Sequence, residues 1–199
     1  MGGVLIVYDT VSGSTEEIAN KICEELKKSG MEANVCRVGK TDGLAAYDAI
    51  IIGAPSRFGG LLSPVKRFIR KNRRELREKK VFYFLSCLYV LRIKEEPVPE
   101  TSFYIDPSLK LKTVYKKDTD MMDRTHSIAY YQRIILKSAP EIKPIEVALL
   151  NGRLDLTKLN FFYKIFMRLV TWMTTRQQIG DFVNPSAVKE WTKRVTSAL

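Results

Sequence analysis

The chain has 199 residues, 45% of them hydrophobic, which is enough for a buried core and excludes a disordered segment by composition. Lys and Arg number 33 against 22 Asp and Glu, a formal net charge of +11, so an anionic partner is expected: a phosphate ligand, an acidic protein, nucleic acid or an anionic membrane. A single histidine (His126) excludes a metal centre of several histidines, and three cysteines (Cys23, Cys36, Cys87) without CxxC spacing give no zinc or disulfide framework and fit a reducing compartment.

The first predicted element is a strand over residues 4–8, with no signal peptide visible ahead of it. Further short apolar runs follow at 33–38, 49–53, 81–85 and 145–150. All but the second are nearly continuous in apolar character, as expected of strands buried on both faces of a parallel sheet. Helical patterns lie between them. Residues 15–29 place Ile18, Ile22 and Leu26 on one face, and Gly30 marks the stop. Residues 64–77 follow Ser63-Pro64, read as a cap and a first-turn proline, and 186–198 follow Asn184-Pro185 in the same way. Residues 125–138 form another amphipathic stretch. This alternation predicts an α/β, doubly wound fold with about five parallel strands and one domain over 1–199. No run of about 18 uncharged apolar residues occurs, so a spanning helix is not expected. Residues 94–123, rich in proline and charge, read as a lid or arm after the fourth strand.

Between the first strand and the first helix lies TVSGST, with Thr10, Val11, Ser12, Gly13, Ser14 and Thr15. In a doubly wound sheet, ligands bind at the carboxyl ends of the strands where the strand order reverses. A helix N-terminus there attracts an anion, Gly13 lets the backbone come close, and four hydroxyls can donate to phosphate oxygens. The loop has neither the Gly-Lys-Ser/Thr of a nucleotide triphosphate loop nor the GxGxxG of a dinucleotide turn. A hydroxyl cage without a cation suits one terminal phosphate monoester, as in FMN. The alternative is a capping box, with Ser14 capping and Glu17 reaching back.

T-x-S-G-S-T resembles the phosphate loop of flavodoxins. GAPSRFGG (residues 53–60) is similar to the flavin-ring loop of flavodoxin-like quinone reductases and of the menaquinone-dependent protoporphyrinogen oxidases. The resemblance implies ring contacts from Pro55, Ser56, Arg57, Phe58 and Gly59. A third flavin loop is implied in SCLYVLR, with Ser86, Cys87, Leu88 and Tyr89. The resemblance runs on through NGRL (residues 151–154) to the last helix, and the length of 94–123 is its main departure. It implies a flavodoxin-like sheet in the order 2-1-3-4-5, FMN as cofactor, and an oxidoreductase of the quinone-linked protoporphyrinogen type. A flavodoxin-type electron carrier or a reductase of the NAD(P)H-quinone type is the alternative. Quinone, or a lipophilic or anionic small-molecule substrate, is the implied partner.

A cation beside reduced flavin favours its anionic hydroquinone, which is the role expected of Arg57 if it is not a solvated loop charge. Phe58 or Tyr89 would cover a ring face. Cys87 reads as a packing residue rather than a redox thiol, and His126 as structural. With redox chemistry carried by the cofactor, no acid–base constellation is required.

Residues 157–175 (TKLNFFYKIFMRLVTWMTT), within an insertion at 152–183, project at helical spacing with a polar arc holding Lys164 and Arg168. The apolar arc opposite covers more than half the circumference. Peripheral contact with a membrane or lipophilic substrate, a homodimer interface and intramolecular packing are the three readings, the first placing a cytoplasmic protein at a membrane surface. Residues 66–80 carry nine basic and two acidic side chains. No aromatic interleaving or motif supports nucleic acid there, which leaves a solvated face or a seat for anionic lipid or an acidic partner.

Overall fold

The computed structural model describes residues 2–41, 43–56, 60–154 and 180–199. In chain order these form β1 (Gly3–Tyr8), α1 (Ser14–Lys28), β2 (Ala33–Arg37), β3 (Tyr47–Pro55), α2 (Ser63–Lys71), α3 (Arg73–Arg77) and β4 (Lys80–Cys87). Then come β5 (Leu91–Ile93), β6 (Ser102–Ile105), β7 (Lys112–Val114), α4 (Met121–Arg124) and α5 (Ile128–Leu136). The chain closes with β8 (Glu146–Asn151), β9 (Arg153–Leu154), β10 (Gly180–Asp181) and α6 (Pro185–Ala198).

The main sheet runs β2-β1-β3-β4-β8-β6 with every pairing parallel. Side chains alternate across each strand, so each central strand feeds two cores. Val4, Ile6, Ile51, Phe84 and Leu150 pack with Ile18, Ile22 and Leu26 of α1 and Val188, Trp191 and Val195 of α6. Leu5, Val7, Ile52, Leu85 and Leu149 pack on the other face with Val65, Phe68 and Ile69 of α2 and Ile128, Tyr131 and Ile135 of α5. Burial on both faces is why the strands read as continuous apolar runs.

The class and the strand order 2-1-3-4 are as expected, but the sheet has six strands rather than five. The sixth, β6, comes from the stretch read as a lid or arm, and it pairs in register with β8 (Phe103↔Val147, Tyr104↔Ala148). Only four residues of SFYI carry the signal, and the surrounding proline and charge mask so short a period. The rest of that excursion forms a small parallel pair, β5 with β7.

The predicted helix over 64–77 is two helices. Asn72 separates them, and its side-chain Nδ2 donates to the Phe68 carbonyl at 2.9 Å, an alternative to helix continuation open to asparagine. Ser63 is the first residue of α2 and does not cap it. Asn184 does cap α6, its Oδ1 accepting from the Ser186 and Ala187 amides. Arg57, Phe58, Gly59 and residues 157–175 lie outside the described residues.

Candidate functional site

The carboxyl ends of β1, β3 and β4 lie side by side, and the three predicted loops leave from them. One residue ties them. The Ser86 hydroxyl, at the start of the third loop, shares a 3.0 Å hydrogen bond with Thr15 Oγ1 of the first loop. The Ser86 carbonyl accepts from the Ser56 amide of the second loop at 2.9 Å. Thr15 and Ser86 are buried, 0% and 5% exposed, so this junction is dry and keeps its full strength.

In the first loop, Gly13 takes φ 88°, a left-handed conformation that disfavours side chains, and it is the cap residue of α1. Among the described residues no side chain caps this helix, and the cap residue is Gly13, so the alternative of a Ser14–Glu17 capping box does not form. The fifteen-residue α1 therefore presents the amides of its first turn, and its dipole, without a capping acceptor. Thr10 Oγ1 accepts from the Gly13 amide at 2.9 Å and shapes the turn. Ser12 Oγ reaches the Arg153 carbonyl at 3.4 Å, Val11 is exposed, and Ser14 is buried. Of the four hydroxyls, those of Thr10, Ser12 and Thr15 thus have partners within the protein. The two acids of the first turn are both engaged: Glu16 accepts from Tyr8 Oη at 2.7 Å, and Glu17 from Arg153 Nη2 at 2.7 Å. Burial, and then the bond to Glu16, push the Tyr8 phenol up to about 12.

The reading of a loop without a cation needs correction. Arg37, at the end of β2, pairs with buried Asp9 at 2.8 Å and reaches the Thr10 carbonyl at 3.4 Å. Arg153, at the start of β9, pairs with Glu17 and with Asp181 of β10. Neither lies in the loop's own sequence. The strand order held the signal for Arg37, because β2 neighbours β1 and Arg37 stands in register with Tyr8.

In the second loop Pro55 and Ser56 are half-buried. In the third, Cys87 is buried, and Leu88 and Tyr89 are half-buried. Tyr131 of α5, absent from the sequence-based set, bridges the two loops. It is fully buried, its hydroxyl donates to the Tyr89 carbonyl at 3.3 Å, and it accepts from Ser56 Oγ at 3.3 Å. Burial pushes the Cys87 thiol up to about 12, with Asp106 adding to the shift, so a neutral packing thiol is what the site contains. The Tyr89 ring sits 5.9 Å from His126, whose Nδ1 is 2.8 Å from the Met122 carbonyl, a structural setting for the histidine.

Behind the third loop, Asp106 is 1% exposed and ties three segments together. It accepts from the Ser108 amide and hydroxyl, the Asn184 amide group and the Asn151 backbone at 2.7–3.1 Å. Gly152 donates to the Cys87 carbonyl and accepts from the Phe182 amide, each at 3.0 Å. Among the described residues no group of three or more His, Cys, Asp or Glu could hold a metal, and no helix is long and apolar enough to cross a membrane.

A hydroxyl-bearing helix N-terminus at the switch point of a parallel α/β sheet, joined to two loops from the neighbouring strand ends, defines a flavodoxin-type ligand site. The family model for the flavodoxin domain matches residues 5–179, and the chain belongs to that family. Family membership indicates FMN binding, and the donor set fits a phosphate monoester: helix-terminal amides without a side-chain cap among the described residues, adjacent hydroxyls and no loop lysine.

The chain is 32% identical over 102 residues to the protoporphyrinogen IX dehydrogenase [quinone] of Escherichia coli (strain K12), covering 50% of this chain and 56% of that one. It is 27% identical over 96 residues to an NAD(P)H dehydrogenase (quinone) of Archaeoglobus fulgidus, covering 35% and 50%. The chain thus spans about half the length of the curated relatives it matches. Flavodoxin 2 from Bacillus cereus superposes with a TM-score of 0.53 at 16% identity over 99% of both chains, a likeness of fold.

Proposed function

We propose that the protein is an FMN-dependent oxidoreductase that takes electrons from a reduced organic substrate of the protoporphyrinogen type and passes them to a quinone. The observation that carries this reading is the Thr15–Ser86–Ser56 junction, which ties the start of α1 to the ends of β3 and β4, where such a cofactor would bind. The 32% identity to a quinone-linked protoporphyrinogen dehydrogenase supports the substrate class.

FMN, when bound, supplies two-electron chemistry. The chain's own residues hold and shape its site. The first-turn amides of α1 and the nearby hydroxyls would take the phosphate, and Thr10 fixes the turn through Gly13. Tyr131 sets the spacing of the second and third loops. Cys87, held as a neutral thiol, fills space without offering a competing thiolate.

Anaerobic half-reactions test the proposal. The FMN-loaded protein should be bleached by protoporphyrinogen and recover its colour with menaquinone. Bleaching by NAD(P)H and not by protoporphyrinogen would replace this reading with that of an NAD(P)H-quinone reductase. Bleaching only by a reduced protein partner would leave an electron carrier.

A further inference from the structure

We propose that the groove between α2 and α5 binds a small organic polyanion, an apolar body bearing two or more acidic groups. The groove encloses about 540 Å³, and Lys66, Arg70, Arg133 and Lys137 line it without a single acidic residue. Lys66 and Arg70 are spaced i,i+4 on α2, and Arg133 in the last turn of α5 is spaced i,i+4 from Lys137, the C-cap of that helix. Two rows of like charge thus share one groove. Such spacing destabilises a helix when unrelieved. Among the described residues none of the four has a carboxylate within ion-pair distance. An anion placed between the rows would relieve both.

The rest of the groove fits an organic body rather than bare phosphate. Leu61, Ile134 and the Tyr130 ring contribute apolar surface. The Arg133 guanidinium lies 4.6 Å over that ring, which holds it in place by a cation–π contact. A concave, part-apolar groove suits a small molecule better than the surface of a bilayer.

Position links the groove to the candidate flavin site. Gly60 lines it and is the last residue of the second predicted flavin loop. Tyr130 lines it, and the next residue of α5, Tyr131, bridges the second and third loops. Resting on the dehydrogenase reading above, the groove ligand is the acidic substrate that reduces the flavin. Its acidic groups are held by α2 and α5 while its body extends towards Gly60.

The test is equilibrium binding of pyrene tetrasulfonate, followed by fluorescence anisotropy on the full-length protein. Saturable binding is expected, weakened about two- to fivefold by Arg70→Gln or Arg133→Gln alone. The pair together should lose about tenfold, with FMN content unchanged. Lys189→Gln with Lys193→Gln, an equal charge change on exposed positions of α6, should alter binding less than twofold. Equal losses in the two double variants would reduce the effect to net charge and overturn the proposal. So would a variant pattern seen only with phosphatidylglycerol vesicles and not with the tetrasulfonate, which would make the groove a lipid seat. The readout is binding and not turnover, so failure of the quinone-linked reading is scored separately, by the bleaching experiment.

Discussion

Thr15 and Ser86, 71 residues apart in sequence, share a buried 3.0 Å hydrogen bond that joins the start of α1 to the end of β4. Removing either hydroxyl leaves the other buried without that partner. Thr15→Val and Ser86→Ala should therefore each lower stability by about 1–3 kcal/mol. The double variant should cost less than the sum, since neither group is then left stranded. Urea unfolding of the two singles and the double measures this. Strict additivity would mean the bond contributes nothing in solution.

Arg153 pairs with Glu17 beside the candidate phosphate loop. Arg153→Met frees a carboxylate in the first turn of α1, and the FMN phosphate would meet that charge. FMN affinity should fall about three- to tenfold, while riboflavin affinity should change little. The gap between the two ligands should narrow as salt is added. Parallel fluorescence titrations with FMN and riboflavin decide it. An equal loss for both would place the phosphate elsewhere.

Gly53, the first residue of GAPSRFGG, is held by packing. A Cβ there would lie 2.2 Å from the Phe84 ring, which itself packs 6.2 Å from Trp191. Gly53→Ala should cost about 1–3 kcal/mol. Phe84→Leu in the same chain should recover part of that loss. Thermal unfolding of the two singles and the double is the check, and a recovery of nothing would show that the cost does not come from the Phe84 contact.

Alkaline pH should unfold the protein. Tyr8 is raised from 10.0 to about 12, Cys87 from 9.0 to about 12, and Tyr131 well above 10.0, each mainly by burial. All three groups hold their protons more tightly folded than unfolded. Their stabilisation is complete below about pH 9 and is lost as pH rises towards 12. Stability should be flat up to about pH 9 and fall steeply beyond about pH 10. Tyrosinate absorbance in the native protein should lag that of the urea-unfolded chain. Coincident titration curves would mean these phenols are open to solvent.

Asp106 accepts four hydrogen bonds from three segments. Asp106→Asn places a donor where the site offers donors, so about 1–3 kcal/mol of stability should be lost. Loosening should concentrate at β6 and the first turn of α6, as slowed exchange of their amides becomes fast in hydrogen-exchange measurements. Uniform change across the sheet would argue against this knot.

Local pattern determined much of this protein. Continuous apolar runs announce strands buried on two faces, and the α/β alternation then leaves little choice of class. The candidate phosphate loop stood out because six consecutive residues, 10–15, carry its pattern at a strand–helix junction. Asn184-Pro185 announced α6 for the same reason, since a cap acts within one turn. The tertiary structure decided whatever depends on which strand ends become neighbours. Strand order brings Arg37 to the Thr10 carbonyl, the β9–β10 pairing sets Arg153 opposite Asp181, and the fold brings Arg153 to Glu17 of α1 as well. Packing of α5 against the sheet places Tyr131 between Ser56 and Tyr89. The edge strand β6 became visible only through its pairing with β8, because its four residues fall below the length at which periodicity is distinct from noise. Side-chain type and spacing are local quantities that a sequence carries directly. Hydrogen bonds between residues tens of positions apart arise only once burial has fixed the order of the strands.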